Sequence, residues 1–199
     1  MIEMNNNRAI RKIIPVLTFM VILLSCTRNY TPKPKGFLRI EPPVAQYVVF
    51  EEDRLPYSFS FSRQAIIELS QADSSIYLLN IDYPDFDAKI YCSYLAITPL
   101  TLKNYTEDCR KLAGRVAKNA DAITEKYYEN KENNVYGTLF IIEGDAASPV
   151  QFMLTDSVKH FFRGALYYKY KTDMDSVAPV TEYIENDMTE LIQTFHWKK

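Results

Sequence analysis

Asp156, Ser157, Lys159, His160 and Arg163 fall close together and supply an acid, a hydroxyl, two cations and an imidazole. These are the side chains from which nucleophilic and acid–base sites are built. A triad needs its members oriented in space, and neighbours in one turn rarely meet that condition. The group is therefore expected to make contacts rather than to catalyse. With Asp145 and Ser148 from the preceding turn it defines a partner-binding candidate, Asp145, Ser148, Asp156, His160 and Arg163, since polar residues between aromatic strands suit interfaces. Asp82, Asp85 and Asp87 have an alternation that invites calcium, but Pro84 interrupts it and neither the Gly nor the distal Glu of an EF-hand follows, so a strand-end turn is expected. Asp173 and Asp175 are the paired carboxylates an enzyme acting on peptidoglycan or glycan would need, yet residues two apart on an extended segment point opposite ways. His196 falls at the end of a helical pattern, where the macrodipole favours a cation. No G-x-S-x-G, H-E-x-x-H, G-x-x-x-x-G-K-[ST] or G-x-G-x-x-G occurs, so neither catalytic nor metal-binding residues are expected, nor a cofactor.

The cysteines carry a different chemistry. Arg8, Arg11 and Lys12 precede an apolar run from Ile13 to Leu24 that ends in Leu23-Leu24-Ser25-Cys26. As a helix this run reaches only about 18 Å, short of a hydrocarbon core of about 30 Å, so it reads as a secretory signal and not as a membrane span. Its last four residues resemble a bacterial lipobox, in which the thiol of the Cys receives lipid and cleavage before it makes Cys26 the first residue. Removing residues 1–25 takes away three basic groups and one acidic group, leaving a net charge of −4 and no polybasic grip on anionic headgroups. Cys92 and Cys109 each fall on the apolar side of a patterned segment in an oxidising compartment. Two outcomes are open: a disulfide closing a loop of about 18 residues, worth about 3 kcal/mol, or two buried thiols.

Around these residues the hydrophobic pattern sets out the elements. β-Branched and aromatic runs at Tyr47–Phe50 and Tyr57–Phe61, then Ile76–Tyr83 and Phe86–Ile97, predict strands, with Ala88, Ile90, Cys92 and Tyr94 on one face of the last. From Leu102 to about Asn130 the period changes to three or four, which predicts one long amphipathic helix capped by Thr101 or Asn104. Gly114 within it implies either close packing on a sheet or simple tolerance. Val135–Glu143, Val150–Asp156 and His160–Tyr170 predict an antiparallel meander, and a helix follows from about Ser176 to Phe195 with Glu182, Glu185, Asp187 and Glu190 on its outer face. The expected fold class is α+β, an antiparallel β-sheet of about 5–7 strands packed by a long central helix and a C-terminal helix. Its order is loosely similar to a PsbP-like α/β/α sandwich, an analogy of fold that licenses no function. The expected organisation is a signal peptide at 1–25, a lipidated start and Pro-containing tether at 26–45, and an α+β domain at 46–199.

Composition excludes some classes. The 199 residues carry 23 Lys+Arg against 25 Asp+Glu, with the two signs interspersed, so the basic face that displaces counterions from nucleic acid is missing. With 47% hydrophobic residues and 15 Tyr, the chain is not disordered.

The stretch YGTLFIIEGDAASPVQFMLTDSVKHFFRGALYY (Tyr136 to Tyr168) and DSVAPVTEYIENDMTELIQTFHW (Asp175 to Trp197) closely resemble the gliding motility lipoprotein GldD family of Bacteroidetes, as do YTPKPKG at Tyr30 and PYSFSFS at Pro56. The resemblance implies a lipoprotein of the cell envelope, lipidated at Cys26, required for gliding and tied to the type IX secretion machinery, without enzymatic activity. Its implied partners are the membrane, through the lipid, and other envelope proteins of that apparatus; no nucleic acid or small-molecule substrate is expected. In that phylum surface-exported lipoproteins generally carry acidic residues directly behind the lipidated Cys. Thr27 to Gly36 has none, which points to the periplasmic side of the outer membrane. Beside this stand two alternatives, the glycan-directed enzyme and a carrier of a lipid or small ligand over the aromatic strands, which a cavity would favour.

Overall fold

A computed structural model describes residues 42–73, 76–170 and 173–198; Cys26 and the signal and tether segments lie outside the described residues. The elements in chain order are β1 (Tyr47–Glu51), β2 (Tyr57–Ser62), β3 (Ile66–Asp73), β4 (Ile76–Tyr83), β5 (Ala88–Ala96), α1 (Pro99–Val116), β6 (Asn119–Asn130), β7 (Val135–Asp145), β8 (Val150–Thr155), β9 (His160–Tyr168), α2 (Met174–Thr194) and β10 (His196–Trp197). The fold is α+β, as expected: a seven-stranded antiparallel sheet in the order β3-β4-β5-β9-β8-β7-β6 and a three-stranded one in the order β1-β2-β10.

Strand alternation gives the large sheet two different faces. Ala88, Ile90, Cys92 and Tyr94 of β5 lie beside Tyr168, Leu166, Gly164 and Phe162 of β9 and point into the main core. α2 and the small sheet cover this face, through Ile184, Met188 and Leu191 of the helix and Tyr57 and Phe59 of β2. The rings of Tyr57, Phe162 and Phe195 meet at its centre, with centroids 4.8 to 5.6 Å apart. Each such ring fully removed from water contributes ~1.5–3 kcal/mol. Gly164 is required there: a Cβ would stand 2.4 Å from a Phe152 ring carbon and 3.0 Å from Cys92 Sγ. At Gly137 of β7 the obstacle is backbone, the Met153 carbonyl oxygen at 2.5 Å. The opposite face carries Phe140, Met153 and Phe161, and α1 packs over them with Cys109 and Ala113.

The long helix expected over 102–130 is two elements. α1 stops at Val116, and Asn119–Asn130 is the edge strand β6, paired with β7. Ala120, Ile123 and Tyr127 do fall at helical spacing, but Ile123-Thr124-Glu125-Lys126-Tyr127-Tyr128 is β-branched and aromatic, and pairing to β7 decides the conformation. The Asn-rich stretch is the β6–β7 turn, with Asn134 left-handed at φ 52°. The α1 cap is Thr98, in a capping box with Thr101, and a Cβ on Gly114 would meet nothing within 4 Å, so tolerance is its explanation. β3 has no counterpart in the expected elements, and the C-terminus extends past its helix into β10.

Candidate functional site

The β8–β9 turn builds itself from its own polar groups. Asp156 Oδ1 accepts the backbone N–H groups of Val158, Lys159 and His160 at 2.8 to 2.9 Å, and Ser157 is left-handed at φ 67°. Burial raises the Asp156 carboxyl, but these three donors outweigh it and hold the group below the usual carboxylate range. His160 is 8% exposed; its Nδ1 shares a 2.8 Å hydrogen bond with Tyr94 Oη and its ring stacks on Trp197 at 4.9 Å. Desolvation lowers the imidazole below its ordinary value, against the pull of Asp156, so it is held neutral. Asp156 and His160 thus shape a turn and a packing contact, and Ser157 contributes its left-handed backbone, its N–H donating to Thr155 Oγ1.

The five residues of the partner-binding candidate do not form one surface. Asp145 and Ser148 flank the β7–β8 turn, Asp156 and His160 the β8–β9 turn, and the six residues of β8 separate the two ends. Ser148 is fully buried and its Oγ has no hydrogen-bond partner among the described residues. Arg163 sits mid-strand in β9 and faces α1 instead.

Arg163 belongs to a cleft between α1 and the large sheet. α1 covers β7 and β8 but leaves β4 and β5 open, so a cavity of about 480 Å³ remains along its edge. Leu112 and Val116 of α1 wall one side, Leu78, Tyr91 and Tyr167 the other, and Ser93, Gln151 and Ala165 lie on the floor. Ser93 is the cross-strand neighbour of Arg163, whose Nε donates to its Oγ at 3.1 Å. Tyr91 and Tyr167 meet edge to face at 5.8 Å on the rim, and Tyr91 is 52% exposed.

Cys92 and Cys109 are both buried and unbridged. They lie in separate clusters on opposite faces of the sheet, Cys92 on the face covered by α2 and Cys109 on the inner face of α1, because the period-two pattern of β5 turns Cys92 away from α1. Of the two outcomes the sequence leaves open, the structure has two buried thiols. Burial raises both; beside Cys109 the Arg163 guanidinium offsets part of the rise.

Asp187 is placed by the sequence pattern on the outer face of α2, and the structure buries it at 2% exposure. Tyr83 Oη donates to its Oδ2 at 3.0 Å, and Tyr47 and Ser62 also hydrogen-bond to it. Ser62 Oγ shares a further contact of 3.3 Å with Tyr183 Oη, so this knot joins both sheets to α2. Burial raises the Asp187 carboxyl, and the surrounding hydroxyls offset only part of it. The helical period missed the site because one polar residue on a largely acidic helix face looks like its neighbours; Tyr47, Ser62 and Tyr83 at strand positions were the signal.

Asp82, Asp87 and Asp173 have structural roles. Asp82 pairs with Lys89 at 3.2 Å, Asp87 ends a 3₁₀ turn (Pro84–Phe86) in a left-handed conformation, and Asp173 caps α2 by accepting the N–H of Asp175. His196 lies beyond α2, exposed in β10, with Nδ1 3.3 Å from the Thr194 carbonyl oxygen. Among the described residues no group of three His, Cys, Asp or Glu could hold a metal ion, and no helix is long and apolar enough to cross a membrane.

The family model for gliding motility lipoprotein GldD matches residues 27–197, nearly the whole chain. The chain belongs to the GldD family of gliding motility lipoproteins. The match runs through every element above, including the cleft, the Asp187 knot and the β8–β9 turn, and the family description carries involvement in gliding motility and association with a membrane of the envelope. Among solved structures, the solution structure of cyanobacterial PsbP (CyanoP) from Synechocystis sp. PCC 6803 is similar at 13% identity, over 83% of this chain and 99% of that one, with a TM-score of 0.45. No curated protein matches.

Proposed function

We propose that this GldD-family chain is a non-enzymatic accessory factor that helps assemble the gliding and type IX secretion apparatus by binding other envelope proteins. Membership of the family over residues 27–197 carries this reading. The turns support it: Asp156 and His160, the residues from which a catalytic site would be drawn, are committed to backbone donors, to Tyr94 and to Trp197. Residues 1–25 serve as a lipoprotein signal, Cys26 carries the lipid, 26–45 is the tether and 46–199 the partner-binding domain. The absence of acidic residues directly behind Cys26 supports the periplasmic side of the outer membrane.

Deleting the gene in its own host and measuring a type IX cargo in the medium tests the proposal. Lost cargo together with lost spreading is the expected result. Normal cargo with lost spreading confines the protein to motility itself and overturns the secretion role.

A further inference from the structure

We infer that the cleft between α1 and the large sheet is a binding site for a small carboxylate with an unbranched apolar tail, the Arg163 guanidinium taking the carboxylate. This goes beyond an assembly role, which needs no small ligand. The main core is packed with aromatic rings, and this cleft lies on the opposite face of the sheet, where α1 stops short of β4 and β5. The cavity of about 480 Å³ falls within the range of about 300–1,000 Å³ typical of small-ligand pockets and has their chemistry, apolar walls around few polar groups.

Charge selects the ligand. A guanidinium has five N–H donors, and Arg163 directs Nε to Ser93 and lies against the Cys109 thiol. Among the described residues no carboxylate forms an ion pair with it. Arg pairs bidentately with planar carboxylates, and that pairing gains strength where apolar walls exclude water. Leu112 and Val116 on one side, and Leu78 with the Tyr91–Tyr167 rim on the other, provide a slot for the tail. The small Ala165 beside Arg163 keeps the floor clear.

A dodecanoate bearing a diazirine on its tail, photoactivated with the full chain in nanodiscs and mapped by mass spectrometry, tests the inference. Labelling is expected on peptides containing Leu112 or Tyr91, competed by excess decanoate and poorly by decanol. Arg163→Gln should reduce it by about tenfold or more, the worth of one charge-assisted hydrogen bond. Leu112→Trp, which fills the slot from the helix side, should do the same while near-ultraviolet circular dichroism shows an intact fold. Labelling spread over the surface, unchanged in both variants, or competed equally by decanol overturns the assignment.

Discussion

A carboxylate inside a core persists only where donors surround it, and removing its charge while keeping its shape is often stabilising. Asp187, with the Tyr83, Tyr47 and Ser62 hydroxyls around it and Oδ1 lacking a hydrogen-bond partner among the described residues, fits that description. Its raised carboxyl means the fold holds a proton that the unfolded chain releases, so this stabilisation is present in acid and lost as pH rises from about 4 through the folded value. Asp187→Asn should therefore raise Tm at pH 7 by about 2–4 °C, the shift that about 1 kcal/mol gives in a chain of this size, and the advantage should shrink toward pH 4. His160 has the opposite sign. Its depressed imidazole gives full stability above about pH 6.5, lost as pH falls through the folded value. His160→Phe strands Tyr94 Oη and should cost about 1–3 kcal/mol near pH 8 in chemical denaturation, with the gap to the native protein narrowing below about pH 6.5.

Among the elements, β5 and β9 were legible because each has a buried face and a freer one, so alternation survives in their residues. The α1–β6 boundary was not. β6 is an edge strand whose Ile123 and Tyr127 stay exposed, so no buried stripe marks its period, and the pairing to β7 that makes it a strand is not local information. The cleft was hidden for a similar reason: Ser93, Arg163 and Leu112 come from three elements, and only the register of β5 with β9 brings the first two side by side. Close approach between strands yields a sharper expectation. At Gly164 the neighbour is the edge of the Phe152 ring, which can shift, whereas at Gly137 it is the backbone of β8. Gly164→Ala should cost about 1–3 kcal/mol, and Gly137→Ala more, read as denaturant midpoints.

For the molecule as a whole, the anchor and the folded part make separate demands. Cys26→Ala should abolish incorporation of an alkyne-bearing palmitate in the host while the folded part, if produced, keeps its unfolding transition. Retained label would place the lipid elsewhere. The core makes another demand, on time. Phe195, almost the last ring in the chain, stacks on Tyr57, one of the first, and the segment after it ties down through Lys198 to the carbonyl oxygens of Glu52 and Pro56. Such distant pairings close slowly and only when both partners are present. The aromatic core around Tyr57 therefore cannot close until the segment carrying Phe195 is present. Phe195 thus works as a late latch, and a product clipped before it leaves the aromatic face of β2 bare to proteases.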